Sequence, residues 1–195
     1  MYPEEKHFIR LAPFITLDEC HSVVTELGMT PIFWDNIINS RKYDTPRKQK
    51  YFAFYDWRDL MEKQSSNCTL KDLSEAFNLA KVKDKHALCK LFMENTTVVD
   101  IANSALQKIP EDDVLQDLSK KFADGALHLG VELGLPMATI EEILLKNEKS
   151  YFGQNRGVME EWKRSKEVKP TILMLMKAFQ HVDGKGVTFL AQKYG

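Results

Sequence analysis

The chain says the same thing twice. Glu26-Leu27-Gly28-Met29 returns as Glu132-Leu133-Gly134-Leu135, Gln49 and Trp57 return as Gln154 and Trp162, and Ala76-Phe77 returns as Ala178-Phe179. The interval is 106 residues at the first landmark, 105 at the glutamine and tryptophan, and 102 at the Ala-Phe pair. A spacing that shortens only where turn residues lie describes two copies of one fold with trimmed loops. Stacked solenoid repeats are far shorter, about 20–50 residues. Within 195 residues, two copies leave cores of about 90 residues each, a size at which burial has to be efficient.

Apolar residues recur at three and four positions rather than alternating, which predicts helices throughout. Thr16-Leu17-Asp18-Glu19 fits a capping box, Thr30-Pro31 and Thr45-Pro46 each set a cap before a first-turn proline, and Thr69 to Asp72 opens another helix. In the first copy the pattern places helices over 4–13, 17–27, 31–39, 46–63, 70–80 and 84–92. In the second it places them over 111–122, 125–133, 136–147, 152–165, 170–182 and 185–193. Gly28, Gly134 and Gly184 are expected to stop helices. Domain bounds follow at 1–92 and 111–195. Residues 93–110 are expected to form a short semi-rigid helical connector packed on one or both domains. Thr97-Val98-Val99-Asp100 caps it, Val98, Ile101, Ala102, Ala105 and Ile109 share one face, and Pro110 ends it.

The repeated apolar residues read as core. Leu27, Trp57, Leu70, Leu73 and Phe77 are matched by Leu133, Trp162, Ile172, Leu175 and Phe179, each at a spacing that puts it on one helical face.

These residues also carry a family resemblance. From Leu118 to Tyr194 the chain resembles a death domain through Leu129 to Leu135, Ile140, Ile143, Gln154, Val158-Met159 before Trp162, Thr171-Ile172 and Ala178-Phe179. The first copy, Asp18 to Phe92, is similar through Leu27-Gly28-Met29, Trp34, Ile37, Gln49, Phe54, Trp57, Thr69-Leu70 and Ala76. Where many death domains carry a tryptophan seven residues before the leucine-glycine pair, this chain has Cys20 and Ala126. A death-effector or caspase-recruitment relative stays open for the first copy. The resemblance implies an all-α chain of two six-helix antiparallel Greek-key bundles in tandem. It also implies a non-enzymatic cytoplasmic adaptor that oligomerises with other death-domain proteins, and possibly with itself, in apoptotic or innate immune signalling.

No chemistry competes with that expectation. The sequence lacks a glycine-rich phosphate loop, HExxH, CxxC and the G-x-S-x-G elbow, so no catalytic, cofactor or metal residue is assigned. Cys20, Cys68 and Cys89 are odd in number and lack ligand spacing, which suggests free thiols in a reducing compartment. His86 and Cys89 share a helical face without an orienting group or oxyanion site, and Cys89 is expected to be half-buried. His7, His21, His128 and His181 are scattered and expected at the surface or its boundary. The triplets at Asn67 and Asn95 matter only on a secretory route. The polar start and the lack of a long apolar run predict no membrane insertion.

Two charged stretches are candidate protein-binding surfaces. Arg41, Lys42, Arg47, Lys48 and Lys50 crowd the loop before the fourth helix and its first turn, where the macrodipole opposes cations. In the second copy Glu141, Glu142, Glu148, Glu160 and Glu161 make the third and fourth helices acidic, with Lys146, Lys149 and Arg156 interspersed. The basic loop is expected to meet that acidic face within one chain or head-to-tail between chains. A solvated loop is the bland alternative. Contact of segment 41–50, with Tyr43 and Tyr51, to nucleic acid phosphates is the other; near-neutral net charge and a pI near 6.5 oppose it.

Overall fold

Threonine and serine caps set the helix starts. Thr16 and Thr69 close capping boxes with Glu19 and Asp72, Thr30 accepts from Phe33 N, Ser150 from Gly153 N and Thr171 from Met174 N, each filling an orphan donor of a first turn. The computed structural model describes residues 2–42, 44–64, 68–84, 87–90, 101–165 and 169–195. Every regular element among them is helical, so the chain is all-α.

The first part of the chain holds α1 (Glu5–Leu11), a 3-10 turn at Ala12–Phe14, α2 (Leu17–Glu26), α3 (Pro31–Ser40), α4 (Pro46–Lys63), α5 (Leu70–Leu79) and α6 (Ala87–Lys90). The remainder holds α7 (Asn103–Leu106), α8 (Asp112–Ser119), α9 (Ala126–Glu132), α10 (Met137–Lys146), α11 (Tyr151–Arg164), α12 (Ile172–Val182) and α13 (Gly184–Tyr194). Contacts divide the chain into two units, Met1–Met93 and Glu94–Gly195.

Five helix pairings recur in the two units. In the first, α4 packs on α1, α2 and α3, and α2 packs on α3 and α5; in the second, α11 packs on α8, α9 and α10, and α9 packs on α10 and α12. Trp57 and Trp162 are each 2% exposed, and Leu73, Phe77, Leu175, Phe179 and Ile172 are buried as expected. Leu133 is buried too, whereas Leu27 and Leu70 are only half-buried.

Three polar contacts recur along with the packing. Gln49 Nε2 donates to Arg41 O at 2.9 Å and Gln154 Nε2 to Leu144 O at 3.4 Å, each tying the fourth helix of its unit to the end of the third. Lys50 Nζ donates to Ile15 O, and its counterpart Asn155 Nδ2 donates to Phe122 O and Ala123 O at 2.9 and 3.0 Å, both clamping the loop between the first two helices. Arg58 pairs with Glu5 at 3.2 Å, and its counterpart Lys163 pairs with Asp112 at 2.7 Å, joining the fourth helix to the first.

Several boundaries differ from the sequence pattern. The first helix gives way at Ala12 to a 3-10 turn containing Pro13, which has no N–H to continue the ladder. Gly184 does not stop a helix. Asp183, in extended conformation, breaks the chain there and its carboxylate caps Lys185 N, so Gly184 opens α13. Of the connector expected over 93–110, residues 93–100 lie outside the described residues and 103–106 form a single turn. Ile101 is buried, Ile109 is 47% exposed, and Lys108 O accepts from Ile172 N.

Two substitutions test these roles. Gly28 sits at φ +87° with open space around a would-be Cβ, so Gly28→Ala adds backbone strain alone and should lower unfolding stability by about 1 kcal/mol. Asn155→Leu strands two loop carbonyls and should cost about 1–3 kcal/mol in urea titration. An Asn155→Leu variant as stable as the parent would show the clamp to be dispensable.

Candidate interaction surfaces

The basic segment is less open than its sequence suggests. Lys42 is exposed, but Arg41, Arg47 and Lys48 are half-buried. The Arg41 guanidinium lies 3.5 Å from the Phe52 ring centroid and 3.9 Å from Asp44, so much of its charge is already engaged. Lys50 departs from the expected surface role. It is 8% exposed, with its ammonium on Ile15 O. Tyr51 is fully buried and presents no ring for a base to stack on, and Tyr43 lies outside the described residues.

The acidic face of the second unit is largely balanced by its own cations. Glu160 holds Arg156 at 2.6 Å and Arg164 at 3.9 Å, and Glu161 holds Arg164 at 3.6 Å. These groups, with Glu142 and Lys146, border a groove of about 490 Å³ between α10 and α11. Gly153 and Gly157 let the two helices close: a Cβ at Gly157 would stand 2.7 Å from Ile143, and one at Gly153 would stand 2.8 Å from Asn147. Glu141 is half-buried and Glu148 exposed. Equal numbers of positive and negative groups therefore face this groove, and the expected acidic surface is zwitterionic.

Sequence reasoning missed two apolar features. At the tip joining α10 to α11, Leu145, Tyr151 and Phe152 are 73%, 51% and 38% exposed. The first-unit counterparts of Tyr151-Phe152 are Pro46-Arg47, so one tip is basic where the other is aromatic. In the first unit, a groove of about 260 Å³ has a floor of Leu27, Trp57 and Met61, with Leu79 at its edge and Glu26, Asp72 and Glu75 at its rim. A period-based reading assigns Leu27 and Trp57 to the core. The shared helix face was legible; the gap between α2, α4 and α5 was not.

His7, His21, His128, Cys20 and Cys68 are built into the fold. His7, buried, accepts Glu4 N on Nδ1 at 2.8 Å, and His128, also buried, lies 3.4 Å from Glu132; neither is at the surface as expected. His21 stacks on Trp34 at 4.8 Å. Cys20 and Cys68 are buried free thiols, and burial pushes both upward in pKa; Cys89 is exposed rather than half-buried. His86 and the triplets at Asn67 and Asn95 lie outside the described residues. Among the described residues no His, Cys, Asp or Glu cluster could hold a metal ion, and no helix is long and apolar enough to cross a membrane.

Burial of Lys50 lowers its pKa, with desolvation the largest cause. The folded chain therefore gives up this proton at lower pH than the unfolded chain, whose reference is 10.5. In that window the unfolded state binds more protons, and stability from this group rises with pH. Burial of Cys20 acts in the opposite sense, because its thiol ionises more readily once unfolded. Comparison with Lys50→Met, which keeps Cys20, isolates the lysine. The variant's urea midpoint, relative to the parent's, should be highest at neutral pH and decline toward about pH 10. A pH-independent difference would contradict the buried cation.

Comparison with protein-family models, curated proteins and solved structures returned no match.

Proposed function

We propose that this chain is a non-enzymatic cytoplasmic adaptor of the death-fold superfamily, two six-helix antiparallel Greek-key bundles that assemble signalling complexes of the apoptotic or innate immune type. One observation carries the reading. Both units share five helix pairings and three polar ties, and residues central to these, such as Gln49, Trp57, Gln154 and Trp162, are ones through which the sequence resembles that family.

The surfaces have diverged while the interiors match. Lys42, Arg47 and Lys48 mark one tip, Tyr151 and Phe152 the other. Two modules with unlike surfaces on one chain suit a scaffold that recruits different partners, since tethering raises the effective concentration of each partner near the other.

Binding of the whole chain to a panel of purified death-domain modules tests the reading. At least one should bind, with affinity that falls as salt rises. Arg47→Glu with Lys48→Glu should weaken that binding by about tenfold or more in a chain that circular dichroism shows to be folded. Absence of any bound module, or steep salt-dependent binding to a DNA duplex instead, would overturn it.

A further inference from the structure

An exposed apolar tip of the second unit and the open apolar groove of the first have complementary characters. Leu145, Tyr151 and Phe152 project at the α10–α11 tip beside Lys146 and Lys149. Neither lysine forms an ion pair among the described residues. Glu148 is the one anion between them, so the tip is apolar with a net positive border. The groove between α2, α4 and α5 is apolar at its floor and lined with carboxylates at its rim. Its volume of about 260 Å³ exceeds the ~150 Å³ of an apolar cavity that accepts benzene, so it has room for an aromatic ring.

The apolar surface open to an occupant is chiefly that of Leu79, 63% exposed at the groove edge, with Trp57, 2% exposed, beneath it. At the rim, Asp72 is occupied with the α5 cap and Glu75 makes only an exposed pair with Lys71, while Glu26 makes no ion pair among the described residues.

We propose that the α10–α11 tip of one chain docks into the α2–α4–α5 groove of a second copy, with Tyr151 and Phe152 against the floor and Lys146 and Lys149 facing Glu26 and Glu75. This deepens the adaptor reading and rests on it. Because the tip and groove are different surfaces, the contact is heterologous, and each bound copy still offers a free tip and a free groove. Copies joined tip to groove therefore add into a ring or an open chain. An interface this small belongs to the weak class, so assembly is concentration-dependent and salt-sensitive.

A mixing experiment reads it directly. Tyr151→Asp with Phe152→Asp removes the tip and keeps the groove; Glu26→Lys with Glu75→Lys spoils the groove and keeps the tip. All four positions are exposed or half-buried and lie outside the repeated polar ties, and circular dichroism checks that both variants fold. By light scattering, the wild-type chain should grow with concentration, each variant alone should stay monomeric, and an equimolar mixture should stop at a dimer. A monomeric wild type, assembly by either variant at the wild-type level, or a mixture that stays monomeric overturns the contact. The adaptor reading is judged separately. A monomeric wild type that still binds death-domain modules refutes this contact alone, and one that does neither refutes both.

Discussion

The structure depends on one helix in each unit: α4 packs on α1, α2 and α3, α11 packs on α8, α9 and α10, and each buries the repeated tryptophan. Burying such a side chain supplies much of the hydrophobic stabilisation of a small core. It does not fix the axial position of the helix, because apolar contact is non-directional. The directional part comes from the polar row on the same helix. Gln49 and Lys50 near its start, and Arg58 two turns later, bind the third helix, the first loop and the first helix. In the second unit Gln154, Asn155 and Lys163 do the same. The ties of Gln49, Lys50, Gln154 and Asn155 end on carbonyls, which a shift in register would leave without their donors.

That arrangement accounts for what the sequence disclosed. Helix starts were legible because threonine caps and first-turn prolines act locally, within three residues of the position that they specify. The repeated landmarks were legible because a buried tryptophan and a buried glutamine tolerate few replacements. Lys50 was misread for the opposite reason. A lysine beside Arg47 and Lys48 looks like part of a surface cluster, and only the fold shows its stem lying inward toward Ile15. The helical position of Asn155, 105 residues on, held the clue: a buried amide in one copy marks the equivalent lysine as a buried donor in the other.

The candidate surfaces were only partly legible, since they arise from residues distant in sequence. Five glutamates in the second copy read as an acidic face, yet Arg156 and Arg164 fold back on two of them. The α2–α4–α5 groove draws on Glu26, Trp57 and Glu75, which no local window unites. Duplication kept the interior and freed the exterior. Position for position, the tip of the first unit is cationic and that of the second aromatic, so the two copies present different chemistry through this element.

Native-state hydrogen exchange on the whole chain tests the central claim that the first unit is organised around α4 and the second around α11. The account predicts slowest exchange in α4 around Trp57 and in α11 around Trp162, with urea raising exchange in the two units at separate midpoints. Slowest exchange in α5 or α13, or rapid exchange throughout α4 and α11, would contradict it.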